Sequence, residues 1–404
     1  MPVGPALVAL VDPHKAVLRG QLLVGGRPGA GSTLSLVPAT TAEALIGMAG
    51  ACAIFWTARQ VFADRGIRTV AKAVAGLGLF VSVAAIVQRT SSAHRIYGLW
   101  QPVDTETVPF GPFVNRDHFA TWMIMAIPLT AGYLLAHVQA RDPGEAGDAS
   151  LAGRVTRLLT DTNGMWLAGS VLVMTVGLFA SFSRSGVIGL AAAVGAGAWL
   201  ARGRLQPTSS RNLKVGAIVL VVALAAFANL GRMAARFGDT LSDSSGHRLD
   251  IWRDTLPVVR DFWLTGTGAG TYSTAMLVYQ TSDRSVFFNQ AHNHYLQLLA
   301  EGGLLLTVPV LLALAGLLAA ARRALAADST PRYWLRVGAL AGLCGAGVQS
   351  IWETGLRMPA NAVLFAVLAA VALHAPRVAP NGRNGTRNAD AQRRNQRGAP
   401  RQTR

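Results

Sequence analysis

Long, uninterrupted apolar blocks constrain the fold of this sequence more than any other feature. Of its 404 residues, 51% are hydrophobic and only 14% are charged. About 20 consecutive apolar residues are enough to cross a bilayer as a helix, and blocks of this length recur along the chain. They predict nine spans, at approximately residues 42–62, 69–88, 117–138, 164–182, 185–201, 213–230, 296–320, 336–352 and 359–375. We therefore expect an all-α fold, a polytopic transmembrane helix bundle with one large helical extracytoplasmic loop.

The basic residues of the short connections predict which way the spans run. Cytoplasmic loops of membrane proteins carry an excess of lysine and arginine. The connections rich in basic residues contain Arg65 and Arg68; Arg141, Arg154 and Arg157; Arg202, Arg204, Arg211 and Lys214; and Arg322, Arg323, Arg332 and Arg336. The long loop 231–294 and every candidate site described below then lie on the opposite, outer face of a multi-pass membrane protein.

Composition divides the chain into three parts. Residues 1–41 precede the first predicted span and are expected to be an extracytoplasmic segment, and residues 42–375 form the transmembrane domain with its outer loop. Residues 376–404 carry eight arginines against the single acid Asp390, which predicts a disordered cytoplasmic tail. A polybasic segment beside a membrane favours anionic lipid head groups, so its expected partner is membrane lipid and not nucleic acid.

The two cysteines give no support for a disulfide or a thiolate metal site. Cys52 and Cys344 both lie inside predicted spans, without a CxxC pair or a histidine at ligand spacing. They are interpreted as core packing residues. We expect neither a metal nor a cofactor.

The sequence QAHNHYLQLLAEGG, which starts at Gln290, places two histidines, an amide pair and a carboxylate at the start of a predicted span. On a helix Asn293 and Glu301 share one face, and His294 joins them. His292 is predicted in the first turn, where the helix dipole favours a neutral imidazole that can accept a proton. His292 is therefore a candidate general base, and the other three are candidate substrate-binding residues. The alternative is a pair of histidines that only cap the helix.

The sequence SFSRSG contains Arg184, the only charged residue between positions 164 and 201. An arginine in mid-bilayer costs about 2.5–3.5 kcal/mol, which a tight outer turn at 183–186 avoids. The guanidinium then lies at the membrane rim beside the hydroxyls of Ser181, Ser183 and Ser185, an arrangement that suits a phosphate. The alternative is an arginine that reaches lipid head groups.

The long loop is predicted to be an ordered domain. Apolar residues recur at helical spacing from a start near Ser244: Leu249, Trp252, Leu256 and Val259. Arg248 is expected in the first turn of that helix, which again suits an anion. The acids of the loop are Asp239, Asp243, Asp250, Asp254 and Asp261. Because arginines alternate with them, a solvated, salt-bridged face is favoured over a metal site. The glycines of GTGAG, residues 266–270, predict a turn that lets two backbones approach.

The sequence GPFVNRDHF places a further polar group at the outer mouth of the third span. Asn115, Arg116 and His118 are candidate substrate-binding residues here. The alternative is a capped helix start in which Arg116 pairs with Asp117. Both interpretations stay open at this point.

Taken together, GPFVNRDHFA, SFSRSG, GHRLDIWRD through GTGAGTY, and AHNHYLQLLAEGG resemble the O-antigen ligase-like family of bacterial membrane proteins in order and spacing. The resemblance covers about residues 33–375. It implies transfer of a glycan from an undecaprenyl diphosphate carrier, at the periplasmic face of the inner membrane, to lipid A core, another repeat unit or a protein hydroxyl. Family members resemble a twelve-span pattern, and nine spans with an outer amino end would fit a protein lacking the first three.

The family's proposed base matches His292 in this sequence. The arginines that the family uses to bind the diphosphate match Arg184 and Arg248. His294 occupies a position that the family leaves variable, and Asp117 stands where the family more often has asparagine. The implied chemistry is a metal-independent, inverting transfer in which arginines stabilise the leaving diphosphate and a histidine removes the proton of the acceptor hydroxyl.

Two alternatives compete with ligation to lipid A core. Within the same class, a polysaccharide polymerase or a protein O-oligosaccharyltransferase shares the donor chemistry and differs in the acceptor. From another class, a lipid-linked glycan transporter would place ionisable residues near the bilayer midplane. Here they cluster at the outer rim, and Glu353, near Arg357, is interpreted as a rim salt bridge.

Overall fold

The computed structural model of the chain describes residues 11–22, 33–64, 66–92, 94–102, 109–141, 161–204, 243–282 and 284–374. Their helices are α1 (His14–Gln21), α2 (Pro38–Asp64), α3 (Ile67–Ser91), α4 (Arg116–Arg141), α5 (Thr162–Ala180), α6 (Arg184–Ala201), α7 (Asp243–Asp261), α8 (Tyr272–Tyr279), α9 (His294–Ala327), α10 (Arg332–Gln349), a 3₁₀ turn (Gly355–Arg357) and α11 (Pro359–Ala372). Over these residues the fold is all-helical, as the apolar blocks predict.

Six of the described helices are long and apolar enough to cross a membrane, namely α2, α3, α4, α5, α6 and α9. The helix α11 is apolar but has only 14 residues. The predicted spans 336–352 and 359–375 correspond to α10 and α11, with ends that differ by at most four residues. The predicted span 213–230 lies outside the described residues.

Glycines let α10 pack closely between α4 and α6. A Cβ on Gly132 of α4 would lie 2.3 Å from the carbonyl oxygen of Trp334, and one on Gly345 of α10 would lie 2.6 Å from the carbonyl oxygen of Gly189 in α6. Small residues at helix interfaces allow such backbone contact in membrane proteins. The central position of α10 fixes where the residues after it emerge.

A second apolar core joins the long loop before α9 to the amino-terminal segment. Its buried residues are Leu18, Leu36, Ile251, Val258, Phe262, Tyr272, Ala275, Met276, Phe288, Ala291 and Ala300. The helix α1 thus packs against α7 and α8, and the backbone N–H of Leu36 donates to the carbonyl of Thr267 at 2.8 Å. The amino-terminal segment and the loop form one packed unit.

The apolar residues that recur at helical spacing along α7 do not all face the core. Leu249 and Leu256 are 53% and 57% exposed, whereas Ile251 and Val258 are almost fully buried. The helix has apolar residues on both faces, so periodicity alone does not say which one meets the core. Packing against α8 and the start of α9 selects the face with Ile251 and Val258.

The glycine-rich turn brings two backbones together, as expected for GTGAG. Gly266 has a φ of 64°, and a Cβ there would lie 2.3 Å from the carbonyl carbon of Glu301. Gly303 interrupts α9 with a φ of 54°. The backbone N–H groups of Leu304 and Leu305 consequently turn to the carbonyls of residues 263 and 264, at 2.8 and 3.0 Å. These hydrogen bonds connect α9 to the packed unit that the amino-terminal segment forms with the loop, called the loop unit below.

Contacts between helix termini define two ends of the bundle. At one end Gln349 of α10 donates to the carbonyl of Asp117 in α4 at 3.2 Å. At the other end the hydroxyl of Tyr333 in α10 donates to the carbonyl of Leu200 in α6 at 2.8 Å. The described arginines of the basic connections lie at the second end, and the candidate site residues lie at the first.

The two cysteines are not core residues. Cys52 of α2 and Cys344 of α10 are both exposed on the helix surface. The interpretation as core packing was wrong because a helix of a membrane bundle also carries apolar residues on its outward face. An apolar neighbourhood in the sequence therefore does not place a side chain inside.

Candidate functional site

His292 lies immediately before α9 and not in its first turn. The side chain of Asn293 accepts hydrogen bonds from the backbone N–H groups of Tyr295 and Leu296, at 3.1 and 3.0 Å, and so caps the helix. His294 is then the first helical residue. His292 has a φ of 46°, a region that residues other than glycine seldom adopt. The prediction of a first-turn position was wrong because the asparagine cap starts the helix two residues later.

Neighbouring elements hold this backbone on both sides of His292. The indole Nε1 of Trp252 in α7 donates to the carbonyl of Ala291 at 2.9 Å. The backbone N–H of His294 donates to the carbonyl of Ser350, after α10, at 2.8 Å. An unfavourable backbone conformation persists only where its surroundings impose it, and such positions are frequent at functional sites.

A buried carboxylate connects His292 to Arg248. Glu353 is 1% exposed and follows α10. Its Oε1 accepts a hydrogen bond from Nη2 of Arg248 at 2.5 Å, and its Oε2 lies 3.6 Å from Nδ1 of His292. Both Oε2 and Nδ1 are buried and have no hydrogen-bond partner among the described atoms. The imidazole therefore turns Nδ1 toward the carboxylate, while the side chain as a whole stays 31% exposed.

Burial raises the pKa of Glu353 above its ordinary value, and the nearby imidazole of His292 opposes the rise. The carboxylate of Asp117 raises this pKa further, and the charge of Arg248 lowers it. The start of α4 is therefore within electrostatic reach of Glu353. Residues from α4, α7, the segment before α9 and the segment after α10 converge on this carboxylate.

The turn between α5 and α6 is tied to the start of α4. Ser183 caps α6 by accepting the N–H of Gly186 at 3.0 Å, and its hydroxyl donates to Oδ1 of Asp117. Asn115 caps α4 by accepting the N–H of Asp117 at 2.7 Å. The start of α4 is thus a capped helix start, but Asp117 bonds Ser183, and no ion pair with Arg116 forms among the described residues.

Two arginines at this end have exposed side chains. Arg184 is the first residue of α6, and Arg116 is the first residue of α4. Within the part of the chain that the structure describes, neither makes a hydrogen bond or an ion pair. The positive end of a helix dipole does not favour a cation. Both guanidinium groups are therefore available to an external anion, together with the backbone N–H groups of the helix starts.

Glu301 is occupied by the loop unit. Its carboxylate accepts the backbone N–H groups of Gly270 and Tyr272 at 2.8 and 3.3 Å. It also accepts Nε2 of Gln297 at 3.0 Å and Nη1 of Arg357 at 2.8 Å. The polar face predicted for α9 thus meets the glycine-rich turn and an arginine. Glu301 holds the loop in place, and both of its carboxylate oxygens already accept hydrogen bonds.

Two further histidines lie at the same end with unsatisfied nitrogens. Nδ1 of His294 and Nε2 of His118 are buried without a hydrogen-bond partner in the described part of the structure. The carbonyl of His118 accepts Nδ2 of Asn361 at 3.1 Å. The structure brings both imidazoles to the site end, but neither forms an ion pair with a described carboxylate.

The loop aspartates are engaged individually. Asp250 pairs with Arg253 at 3.3 Å and Asp261 with Arg260 at 3.0 Å, which agrees with a salt-bridged face. Asp254 is instead 5% exposed and accepts four hydrogen bonds from residues 281 and 282. Asp239 and the side chain of Asp243 lie outside the described residues. Among the side chains that are described, no group of three or more histidines, cysteines or acids could hold a metal ion.

Glu353 is the residue that sequence reasoning undervalued. It forms a salt bridge, as expected, but with Arg248, which lies 105 residues earlier. One signal was present, because Glu353 is the only acid between Asp328 and Asp390 and follows an apolar run directly. Its two partners could not be identified from that signal.

Comparison with known proteins adds one finding. A family model described as O-antigen ligase matches residues 169–311, and no curated protein matches the chain. The matched segment contains Arg184, Arg248, His292 and Glu301 and ends within α9. Together with the all-helical, membrane-spanning architecture, it indicates an enzyme of glycan transfer in a membrane. Over residues 169–311, which carry these residues, the chain is similar to the O-antigen ligase family.

Proposed function

We propose that the chain transfers a glycan from an undecaprenyl diphosphate carrier to an acceptor hydroxyl at the periplasmic face of the bacterial inner membrane, with lipid A core as the acceptor. The observation that carries this proposal is the contact of one buried carboxylate, Glu353, with both His292 and Arg248. It places a candidate base beside a candidate anion-binding group.

His292 is the proposed general base. With Nδ1 turned to Glu353, the imidazole presents Nε2 to a substrate, and the carboxylate stabilises the imidazolium that forms. The acceptor oxygen attacks the anomeric carbon as its proton passes to Nε2. The bond between that carbon and the diphosphate oxygen breaks, and the carrier leaves as undecaprenyl diphosphate. A single displacement of this kind inverts the configuration at the anomeric carbon.

Arg184 and Arg248 are the proposed diphosphate-binding residues. Negative charge accumulates on the leaving diphosphate, so cations that are fixed before the reaction lower its barrier. Arg184 has an exposed guanidinium beside the N-terminal amides of α6. Arg248 is fixed by Glu353 through Nη2, which leaves its other N–H donors for phosphate oxygens. This division of tasks requires no metal ion.

The other candidate residues have supporting roles in this proposal. Arg116 is exposed near Arg184's turn and is proposed to contact the donor. Asn115 and Asn293 cap the helices that present Arg116 and His292. His118 and His294 line the same end of the bundle, and Glu301 fixes the loop.

Reconstituted transfer with defined substrates tests the proposal. The purified chain in vesicles receives an undecaprenyl diphosphate-linked glycan, with and without lipid A core, and with and without a chelator. We expect glycan on lipid A core, no growth of the donor chain alone, and no effect of the chelator.

Three other results of this experiment would each identify a different activity. Chain growth without lipid A core identifies a polymerase, and glycan on a protein hydroxyl identifies a protein O-oligosaccharyltransferase. Passage of the donor across the bilayer without bond formation identifies a transporter. Loss of transfer in the chelator would contradict the metal-independent mechanism.

A further inference from the structure

The end of the bundle opposite His292 carries an arrangement of arginines that glycan transfer does not use. Trp199 lies near the end of α6 and is 49% exposed. The guanidinium carbon of Arg202 lies 4.8 Å from the centroid of its indole, and that of Arg322, from the last turns of α9, lies 5.9 Å from the same ring. Two helices thus place two cations on one aromatic side chain.

These two cations have no negatively charged partner in the part of the chain that the structure describes. Arg202 and Arg322 are exposed, and neither forms an ion pair with a carboxylate among the described residues. The nearby acid Asp328 is occupied, since its Oδ2 accepts Nε of Arg336 at 2.8 Å and its Oδ1 accepts the side chain of Thr330 at 2.7 Å. The sequence from 205 to 238 contains no acid at all.

The surrounding residues increase the positive charge. The guanidinium carbon of Arg204 lies 3.9 Å from the ring centroid of Tyr333, next to the same helix end. Arg323 is exposed beside Arg322. Like charges gathered at one end of the bundle repel one another, and cation–π contacts of exposed arginines offset only about 0.5–1 kcal/mol each. An external anion is the partner that this arrangement lacks.

The apolar face of α9 that precedes Arg322 indicates which kind of anion would bind these arginines. Leu318, Leu314 and Leu311 precede Arg322 at helical spacing, share its side of α9 and are 48%, 39% and 51% exposed. A free phosphate would leave this apolar strip uncovered. A lipid would place its phosphate at the guanidinium groups and its acyl chains along the leucines. Arginine suits such a phosphate because its planar donors bind two oxygens together.

We propose that Trp199, Arg202 and Arg322 form a binding site for the phosphodiester group of an anionic glycerophospholipid. The indole contacts both guanidinium groups and orients them, and each donates hydrogen bonds to the phosphate oxygens. Phosphatidylglycerol has the required charge, whereas zwitterionic phosphatidylcholine does not. This site is independent of the proposed glycan transfer.

Native mass spectrometry of the full chain tests this site, with phosphatidylglycerol, phosphatidylcholine and inorganic phosphate as probes. The test variant is Arg202→Gln with Arg322→Gln. The matched control is Arg253→Gln with Arg260→Gln, which removes the same charge from exposed positions on α7. We expect selective binding of phosphatidylglycerol, weakened about tenfold or more in the test variant and unchanged in the control.

Three outcomes would overturn the proposal. Equal weakening in the control variant would indicate a general effect of net charge. Undiminished binding by the test variant would place the lipid elsewhere. Competition by inorganic phosphate at a concentration similar to that of the lipid would indicate a simple anion site.

If the glutamine variant does not fold, Arg202→Lys with Arg322→Lys keeps the charge. It should weaken binding because lysine cannot reproduce the planar donor geometry, and unchanged binding by that variant would also contradict the site.

Discussion

At the scale of single residues, Glu353 is shared between two partners. One oxygen holds Arg248 and the other faces Nδ1 of His292, so the proposed base and one proposed anion-binding residue are positioned by the same buried group. Removing either partner leaves a buried carboxylate with less compensation, which is costly in a protein interior. Glu353 is a positioning residue in this scheme because it acts through His292 and Arg248.

Substitution of Glu353 by glutamine tests that role. Glutamine keeps the size of the side chain but removes the charge that stabilises imidazolium, so we expect the transfer rate at saturating donor to fall by about 10²-fold or more. Glu353→Asp should recover part of the rate, which a purely structural residue would not show. Asp250→Asn, in an exposed pair with Arg253, is the control and should retain the normal rate.

Arg184 is expected to affect binding of the donor without affecting the fold. Its side chain is exposed, so Arg184→Ala should change the melting temperature very little. Loss of a charged donor to phosphate should raise KM for the lipid-linked glycan about tenfold. Steady-state kinetics with thermal melting separate the two effects. An unchanged KM would remove Arg184 from the diphosphate site.

At the residue level, the sequence singled out candidate site residues but not the partners that hold them. Arg184 and His292 stood out because a charged or polar residue at the edge of an apolar span requires an explanation. The link from Arg248 to Glu353 crosses 105 residues of sequence, and nothing local encodes it. The backbone of His292 was also misjudged because the cap at Asn293 competes with an earlier helix start.

At the scale of secondary-structure elements, the loop unit depends on close backbone contact between the glycine-rich turn and α9. Gly266→Ala introduces a Cβ that would lie 2.3 Å from the carbonyl carbon of Glu301, at a φ of 64°. We expect a loss of about 1–3 kcal/mol from backbone strain alone, with a lower melting temperature. Gly169→Ala in α5 is the control, since a Cβ there meets no atom within 4 Å, and it should be neutral or slightly stabilising.

Asp254 makes the stability of the loop unit depend on pH. Burial opposes ionisation of Asp254, but hydrogen bonds from Ser282 and Thr281 outweigh it and hold its pKa below the ordinary value. Its contribution is therefore complete above about pH 4 and is lost as the pH falls through the lowered pKa.

Thermal melting of Asp254→Asn beside the unchanged protein measures this contribution. The variant should be less stable at pH 7 by about 1–3 kcal/mol, because asparagine cannot accept all four hydrogen bonds. The difference should shrink below about pH 4. A difference that stays constant with pH would contradict the assigned role of the carboxylate.

The helices themselves were predictable because long apolar runs have few alternatives in a membrane. Their ends were less so, and α2 and α9 extend beyond the predicted blocks. The inner face of α7 could not be read from its pattern, since Leu249 and Ile251 are both apolar and only packing distinguishes them. The break at Gly303 depends on a contact with residues 263 and 264, which local sequence does not show.

At the scale of the whole molecule, the bundle has two chemically different ends. One gathers Arg184, Arg248, His292 and Glu353 beneath the loop unit, and the other gathers the arginines around Trp199 and Tyr333. The basic tail adds eight arginines, so the net charge of +17 says little about the glycan-transfer site. In the proposed mechanism, His292 removes the proton of the acceptor hydroxyl at the end of the bundle that carries Glu353.

The initial rate of glycan transfer by purified His292→Ala in vesicles tests the role of His292 as the base most directly. It is compared with the unchanged chain and with His94→Ala, which alters an exposed histidine outside the site. We expect His292→Ala to lose about 10²–10⁴-fold of the rate at normal protein levels and normal donor binding, and His94→Ala to retain it. Full transfer by His292→Ala would contradict the assignment of the base and, with it, the mechanism built on Glu353.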